Sequence, residues 1–402
     1  MVVYRLILAL LSPMVLLRAL GRGETFGDLS ERLGRGGSRV DLWLHGASLG
    51  ELASARWLVL ALLAARPGMT LVVTANTVTG RQLVRDWGLT GVTARLAPLD
   101  LGLALRGFLH RWQPRVLISL EAEFWPLRFA LCARRGMPVV LLGARMSDRS
   151  FRRWHKRPAL AAAMLGAVRL ASAQDAASRQ YLLALGLAEI MPDHDLKALA
   201  IAGLPEPATP PRAERATRLL AASTHEGEEA IILRAFARQS QFTHLILAPR
   251  HPTRAAEIVT LLRRTRPDFD PQRDQRSRGG EPGPAPVYLA DTLGEMDRWY
   301  AGCGAVVVGG TFAPRGGHTP WDPIRFGTAI LHGPDTRNFE ATFAALNAQG
   351  AAVAVTPETL AGRLQDITAT DQDRRARAAK AILPANLDVH AFVARVLQVL
   401  DI

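Results

Sequence analysis

The chain has 402 residues, 49% of them hydrophobic and 21% charged, with a mean hydropathy of +0.08; this excludes a disordered chain and leaves room for two or three domains with sizeable cores. The formal net charge is +13, yet almost all of the basic residues are arginine, Lys156, Lys197 and Lys380 being the lysines, and with no zinc-finger spacing, basic arm or aromatic-and-basic pattern, nucleic-acid binding is not expected. Two cysteines in apolar contexts, Cys132 and Cys303, exclude a disulfide framework and fit a reducing compartment.

Within Val2–Leu20, Arg5 and Arg18 bracket an apolar run, Leu6–Leu17, interrupted by Ser12 and Pro13. It falls short of the roughly 20 apolar residues that a bilayer span needs. Residues 1–20 are therefore expected to be a membrane-inserted or interfacial anchor with basic flanks on the cytoplasmic side, the alternative being a buried core helix. Gly21–Ser38, polar and rich in Gly and Arg, is expected to be a linker. Strands follow at Asp41–His45, Thr70–Ala75, Val116–Leu120, Val139–Leu142 and Val168–Ser172. Helices at Glu51–Ala65, Asp100–Trp112, Pro126–Arg135 and Pro158–Leu165 alternate with them. Pro205, Pro207, Pro210 and Pro211 mark an interdomain linker within Pro192–Arg215. The rhythm restarts with strands at Leu219–Ala222, Leu245–Ala248, Val287–Leu289, Ala305–Val308, Ala329–Leu331 and Ala352–Val355. Helices are expected at Gly227–Arg238, Arg254–Arg264, Gln372–Ile382 and Val389–Leu400, with a polar loop over Pro267–Pro286. Such alternation predicts right-handed βαβ units and two doubly wound α/β domains.

Ligands of such sheets bind beyond the carboxyl ends of the strands, and each chemistry-bearing motif here follows a strand. After the first comes His45-Gly46-Ala47-Ser48-Leu49-Gly50-Glu51, whose Glu51 suits either a general base or a helix dipole. Glu121 and Glu123 follow another strand; they either bracket a polar ligand or pair with Arg145 or Arg149. Ser223 and Thr224 offer an N-cap to a helix opened by glutamates, at an end that also faces a ligand site. Pro249-Arg250-His251-Pro252 places an anion-binding donor set at a strand end, or an ordinary polar turn. Asp291–Met296, containing Gly294 and Glu295, opens a helix whose free N–H groups suit a base or a phosphate, or are simply capped. Gly309–Pro323 is the richest stretch: Gly316 and Gly317 for conformational freedom, Arg315 and His318 as donors, Pro320 to preset a helix near Trp321, and Asp322 for ribose hydroxyls. No Walker or G-x-G-x-x-G pattern occurs. The Asp193–Asp195 run lacks a second histidine cluster, and no metal site is expected.

In this order, HGASLGE, EAEFWP, GARMSDRS, ASTHEGEE, APRHP, DTLGEM, GGTFAPRGGHTPWDP and HGPDTRNFE resemble the bacterial 3-deoxy-D-manno-octulosonic acid (Kdo) transferases. The resemblance implies a GT-B glycosyltransferase: an N-terminal membrane-anchor helix over 1–20, a Rossmann-like acceptor-binding domain over 21–203 and a Rossmann-like CMP-sugar-binding domain over 204–402, the two facing a cleft. It implies inverting transfer of Kdo from CMP-Kdo to a lipid A precursor, lipid IV(A), at the cytoplasmic side of the inner membrane, with no metal and no cofactor beyond the donor. Glu51 takes the role of base, Glu121 and Glu123 lie near the reacting centre, and Lys197 stabilises transition-state charge. CMP contacts fall on Ser223, Thr224, Pro249, Arg250, Gly294, Glu295, Met296, Gly316, Gly317, His318, Thr319, Pro320, Trp321 and Asp322. The family pattern H-N-P-L-E-P is here His318-Thr319-Pro320-Trp321-Asp322-Pro323, and its N-L-K is Asp195-Leu196-Lys197. A GT-B enzyme using a UDP-sugar and a membrane-tethered nucleotide-sugar-binding protein without catalysis are the alternatives.

Overall fold

A computed structural model describes residues 2–21, 23–188, 190–191, 195–202, 206–383 and 389–401. The chain divides into unit 1, Met1–Gly203 with Asn386–Ile402, and unit 2, Leu204–Ala385. Unit 1 is built on β1 (Leu42–Gly46), β2 (Leu71–Ala75), β3 (Val92–Leu96), β4 (Val116–Leu120), β5 (Val139–Ala144) and β6 (Val168–Ala173), in the order β3-β2-β1-β4-β5-β6. Unit 2 repeats this plan with β7 (Arg218–Thr224), β8 (His244–Pro249), β9 (Val287–Leu289), β10 (Ala305–Val308), β11 (Ala329–His332) and β12 (Ala352–Ala354), in the order β12-β11-β10-β7-β8-β9. All ten pairings between these strands are parallel.

Parallel strands are covered on both faces, so they are apolar throughout rather than alternating. Leu42, Trp43 and Leu44 are each fully buried. Leu42 and Leu44 join the core under helix Leu49–Ala65, whereas Trp43 faces the opposite core with Phe108 and Trp112. In each unit the strand order reverses between two neighbours, β1 and β4 in one and β7 and β10 in the other. Within each unit the loops leaving that pair of strands turn to opposite faces of the sheet, the arrangement that opens a crevice at a switch point.

Several parts of the chain differ from expectation, among them helix Leu196–Ala202 within the expected linker. The stretch Gly21–Ser38 holds a helix, Phe26–Arg32, capped by a Thr25–Asp28 box. Its polar composition suggests a linker, but Asp28, Glu31 and Arg32 are buried and paired: Glu31 accepts from Arg81, Arg95 and the Leu96 N–H. Helix Val78–Asp86 and strand β3 also go beyond the expected elements. The terminal helix Val389–Leu400 was expected with the second domain; it belongs to unit 1, because Phe392, Val393, Val396 and Leu400 pack into the core shared with β1 and helix Leu49–Ala65.

The first helix runs Val2–Gly21 with Pro13 inside it. Among the described residues, no helix is long and apolar enough to cross a membrane. Tyr4 ties this helix to unit 1 by donating to Asp100 Oδ2 at 2.7 Å, while Leu10 and Leu17 are 80% and 67% exposed.

Candidate functional site

In unit 1, β1 and β4 deliver the acidic residues. Ser48 caps helix Leu49–Ala65 by accepting the Glu51 N–H. Glu51 sits in the first turn and folds back, its carboxylate accepting the Ala47 N–H at 2.7 Å and lying 3.2 Å from Ser48 Oγ. Burial, then the nearby charge of Glu121, push its pKa up to about 7. A carboxyl group poised there exchanges a proton at neutral pH.

Glu121 begins the β4 turn at φ 47°, a conformation that costs a non-glycine residue on the order of 1–3 kcal/mol. Its Oε1 lies 3.5 Å from Lys197 Nζ. Lys197 reaches it from helix Leu196–Ala202, where Asp195 Oδ1 accepts the Lys197 N–H.

Glu123 is held differently. Its Oε2 accepts from Trp125 Nε1 at 2.6 Å, His45 Nε2 at 2.9 Å and Asn76 Nδ2 at 3.1 Å. Burial pushes this carboxyl upward, but the bond to His45, the charge that ring gains once protonated in acid, the Trp125 bond and the Arg128 charge overcome it and bring the pKa down to about 2. An ionised Glu123 only accepts, so His45 Nε2 carries the hydrogen. His45 is fully buried, and burial followed by the Arg128 charge lowers its pKa to about 4. The neutral ring accepts at Nδ1 from Thr74 Oγ1 at 2.9 Å, and Thr74 in turn accepts from Trp43 Nε1 at 2.8 Å. A directed chain from Trp43 through Thr74 and His45 therefore ends on Glu123. Two carboxylates near one crevice are driven apart in acidity: Glu51 toward neutrality, Glu123 toward permanent charge. Such a split suits separate acid–base and electrostatic roles.

In unit 2 the corresponding loops follow β7 and β10. Ser223 lies at φ 57°, and a Cβ on Gly309 would stand 2.4 Å from Ser223 O. Glycine is what lets the ends of β7 and β10 approach so closely. Ser223 and Thr224 do not cap the following helix; Gly227 occupies that position in Glu228–Phe236. Thr224 Oγ1 instead donates to Glu229 Oε1 at 2.8 Å, and Glu229, also buried, pairs with Arg254. The neighbouring Glu228 takes the His225 and Gly310 N–H groups on Oε2 and the Phe312 N–H on Oε1, at 2.8, 2.8 and 2.9 Å. One buried carboxylate thus staples the β7 loop to the β10 loop.

The Gly309–Asp322 loop closes on itself through Gly317 N–H to Gly310 O and His318 N–H to Gly309 O. From the turn after β11, Asp335 accepts the Gly316 N–H at 2.8 Å, and Asn338 Nδ2 donates to the Arg315 and Gly317 carbonyls. A Cβ on Gly316, at φ 82°, would lie 2.7 Å from the Asn338 side chain. Thr319 Oγ1 accepts the Trp321 N–H at 3.3 Å, and Pro320 precedes the short helix Trp321–Arg325 that carries Asp322. His318 meets His225, their Nε2 atoms 2.9 Å apart, and His251 approaches His225 edge-on. Arg250 follows Pro249 at the end of β8, its N–H bonded to Thr224 O.

The Asp291–Met296 motif is rearranged relative to expectation. Asp291 is buried and accepts from Gln275, the Ser277 N–H and the Ser277 hydroxyl rather than capping a helix. Glu295 precedes helix Met296–Gly302 and pairs with Arg276, which with the Thr292 hydroxyl lowers its pKa to about 2. Gly294 adopts φ 85°.

The predicted residues therefore form two groups: Glu51, Glu121, Glu123 and Lys197 in unit 1, and Ser223, Thr224, Pro249, Arg250 and Gly316–Asp322 in unit 2, with Gly294–Met296 on the turn after β9. The supports carry little signal in sequence. His45, Thr74 and Asn76 lie on or after strands, where their type alone signals nothing; Glu228 and Glu229 open a helix as expected, but nothing in that placement shows that their carboxylates turn back onto the loops. The signal available was a pair of glutamates straight after a glycine at a strand end. Among the described residues no His, Cys, Asp and Glu cluster is arranged to hold a metal; Asp193 and His194 lie outside the described residues.

Residues 27–199 match the family described as 3-Deoxy-D-manno-octulosonic-acid transferase (kdotransferase). A 3-deoxy-D-manno-octulosonic acid transferase of Bordetella pertussis is 34% identical over 390 residues, covering 87% of each chain. Its counterpart in Haemophilus influenzae is 31% identical over 314 residues, covering 75% of this chain and 72% of its own. The glycosyltransferase VinC, solved in complex with DTDP, shares the fold with a TM-score of 0.53 at 16% identity, over 90% of this chain and 99% of its own.

Proposed function

The chain belongs to the 3-deoxy-D-manno-octulosonic acid transferase family and is a glycosyltransferase, and from that premise we propose that it transfers Kdo from CMP-Kdo to a sugar hydroxyl of a lipid A precursor, inverting the anomeric centre in one displacement. Glu51 accepts the hydroxyl proton, the acceptor oxygen attacks the anomeric carbon, and CMP departs. The observation that carries this reading is the Glu51 carboxyl, anchored by the Ala47 N–H and brought to a pKa of about 7. Lys197 and Glu121 shape the field around the reacting centre. Arg250 and the turn Gly316–Asp322 bind the nucleotide, with Asp322 near the ribose. The leaving group is a monophosphate, whose charge cationic side chains and backbone N–H groups balance without a metal. The exposed Leu10, Leu11, Met14, Val15 and Leu17 support an interfacial helix, and a net charge of +13 suits the anionic cytoplasmic face of the inner membrane.

Mass spectrometry of lipid IV(A) incubated with CMP-Kdo and the full chain tests the reaction. Addition of Kdo is expected with wild type and not with Glu51→Gln. Calorimetry with CMP and UDP tests the donor; tighter UDP binding would replace CMP-Kdo with a UDP-sugar.

A further inference from the structure

His225 Nε2 and His318 Nε2 stand 2.9 Å apart with ring planes within 2° of each other. Two imidazole nitrogens at that distance need one hydrogen between them, so one ring donates and the other accepts. The pair is held from both sides. Glu228 pins the backbone of His225 and of Gly310, and a Cβ on Gly310 would lie 3.2 Å from the His318 ring. The other groups facing the pair are Arg250 and His251 from the turn after β8 and Arg315 from the turn after β10. Glu228 faces it too, but its oxygens are engaged by three backbone N–H groups. The field is cationic. Burial first, then these neighbours, keep the rings neutral, taking His318 down to about 4 and lowering His225 as well. A dianion entering this field offsets the two guanidinium charges and favours protonation of the pair.

The next step rests on the donor reading above. In a CMP-sugar the phosphate is a diester with one negative charge. When the anomeric C–O bond breaks, both bonding electrons stay on the phosphate oxygen and a monoester dianion forms. We propose that the His225–His318 pair takes up one proton from solvent as that dianion forms and hydrogen-bonds it to the departing phosphate, making both histidines leaving-group residues. The shared hydrogen remains between the two Nε2 atoms, and the added proton occupies an Nδ1. The acceptor's hydroxyl proton goes to Glu51 and plays no part in this. Release of the nucleotide returns the pair's proton to solvent.

Titration calorimetry counts the proton. CMP is titrated into the full chain at pH 7.5 in two buffers of different ionisation enthalpy, with cytidine as the phosphate-free control. Wild type is expected to take up a measurable fraction of a proton with CMP and none with cytidine. His225→Gln and His318→Gln are expected to take up almost none, with turnover about 100-fold lower. Zero uptake by wild type, or equal uptake in all three proteins, overturns the pair's role, the wild-type measurement standing alone if a variant does not fold. If UDP binds and CMP does not, the donor reading fails while UDP replaces CMP in the proton count. If neither binds, both proposals fall.

Discussion

Lys197 Nζ lies 3.5 Å from Glu121 Oε1, joining the lysine that the sequence singles out for its rarity to the acid placed at φ 47° after β4. Glu121 in turn raises the Glu51 pKa through its charge. The three residues thus form a series: the lysine faces the acid whose charge raises the Glu51 pKa.

Lys197→Gln should therefore do more than slow transfer. With Glu121 unneutralised, the Glu51 carboxyl should become a weaker acid still. The acidic limb of the kcat profile is expected to move upward by roughly one pH unit or less, the scale of one nearby charge. A pH–rate profile of the variant checks this; a limb that stays in place while kcat falls would confine Lys197 to direct contact with substrate.

Glu51→Gln should lose activity and gain stability. General-base catalysis is worth roughly 10²–10⁴-fold, and turnover should drop by about that factor. A carboxyl raised from 4.5 to about 7 stabilises the fold fully below about pH 4.5, and that contribution disappears as pH rises through 7. At pH 8 the variant should be more stable than wild type by about 1–3 kcal/mol, the two converging below pH 4.5. Thermal unfolding at both pH values measures the difference.

Much of this was legible in the chain. The strands are apolar because both faces are covered, so runs such as Val116–Leu120 and Ala305–Val308 stand out without periodicity. The motifs after them follow from fold topology, which puts ligands at the carboxyl ends. What escaped was the pairing of buried charge. Glu31 and Asp28 make Phe26–Arg32 look like a linker, because a sequence shows a charge and not its partner. Glu228 hides the same way: a carboxylate that binds three backbone N–H groups from two loops is indistinguishable in sequence from one that faces water.

Glu228→Ala is expected to be severe. It leaves three N–H groups at His225, Gly310 and Phe312 without their acceptor, and bonds to a charged group are worth about 1.5–3 kcal/mol each before relaxation. A loss of about 3–5 kcal/mol and no measurable nucleotide binding are predicted, whereas Glu228→Gln should recover part of each. Chemical denaturation together with CMP titration separates the staple from a surface role, in which both variants would match wild type.

The first helix offers a test of interfacial attachment. Leu10 and Leu17 are 80% and 67% exposed, and burying a leucine is worth about 1.5–3 kcal/mol. Leu10→Ser with Leu17→Ser should weaken co-sedimentation with anionic vesicles at least about tenfold and leave CMP binding unchanged. Unaltered vesicle binding would assign attachment to the basic surface alone.

His45 makes unit 1 acid-labile in a defined window. Its folded pKa is about 4 against an ordinary value of 6.5, so the unfolded chain takes up a proton before the folded one does. Stability is complete above about pH 6.5 and declines as pH falls toward 4. The Glu123 carboxylate, held at about 2 against 4.5, extends the loss in the same direction below pH 4.5. His45→Gln keeps the shape of the relay, since its amide donates to Glu123 and accepts from Thr74, but it cannot take a proton. Between pH 7 and pH 4.5 wild type should fall by about 2–3 kcal/mol relative to the variant, the opposite contribution of Glu51 being common to both proteins. Thermal unfolding at those two values decides the matter, and an equal loss in both proteins would mean that the buried imidazole does not titrate there. At pH 7, where the ring is neutral in either case, the variant should retain the Glu123 clamp, and its transfer rate should fall less than that of Glu123→Gln.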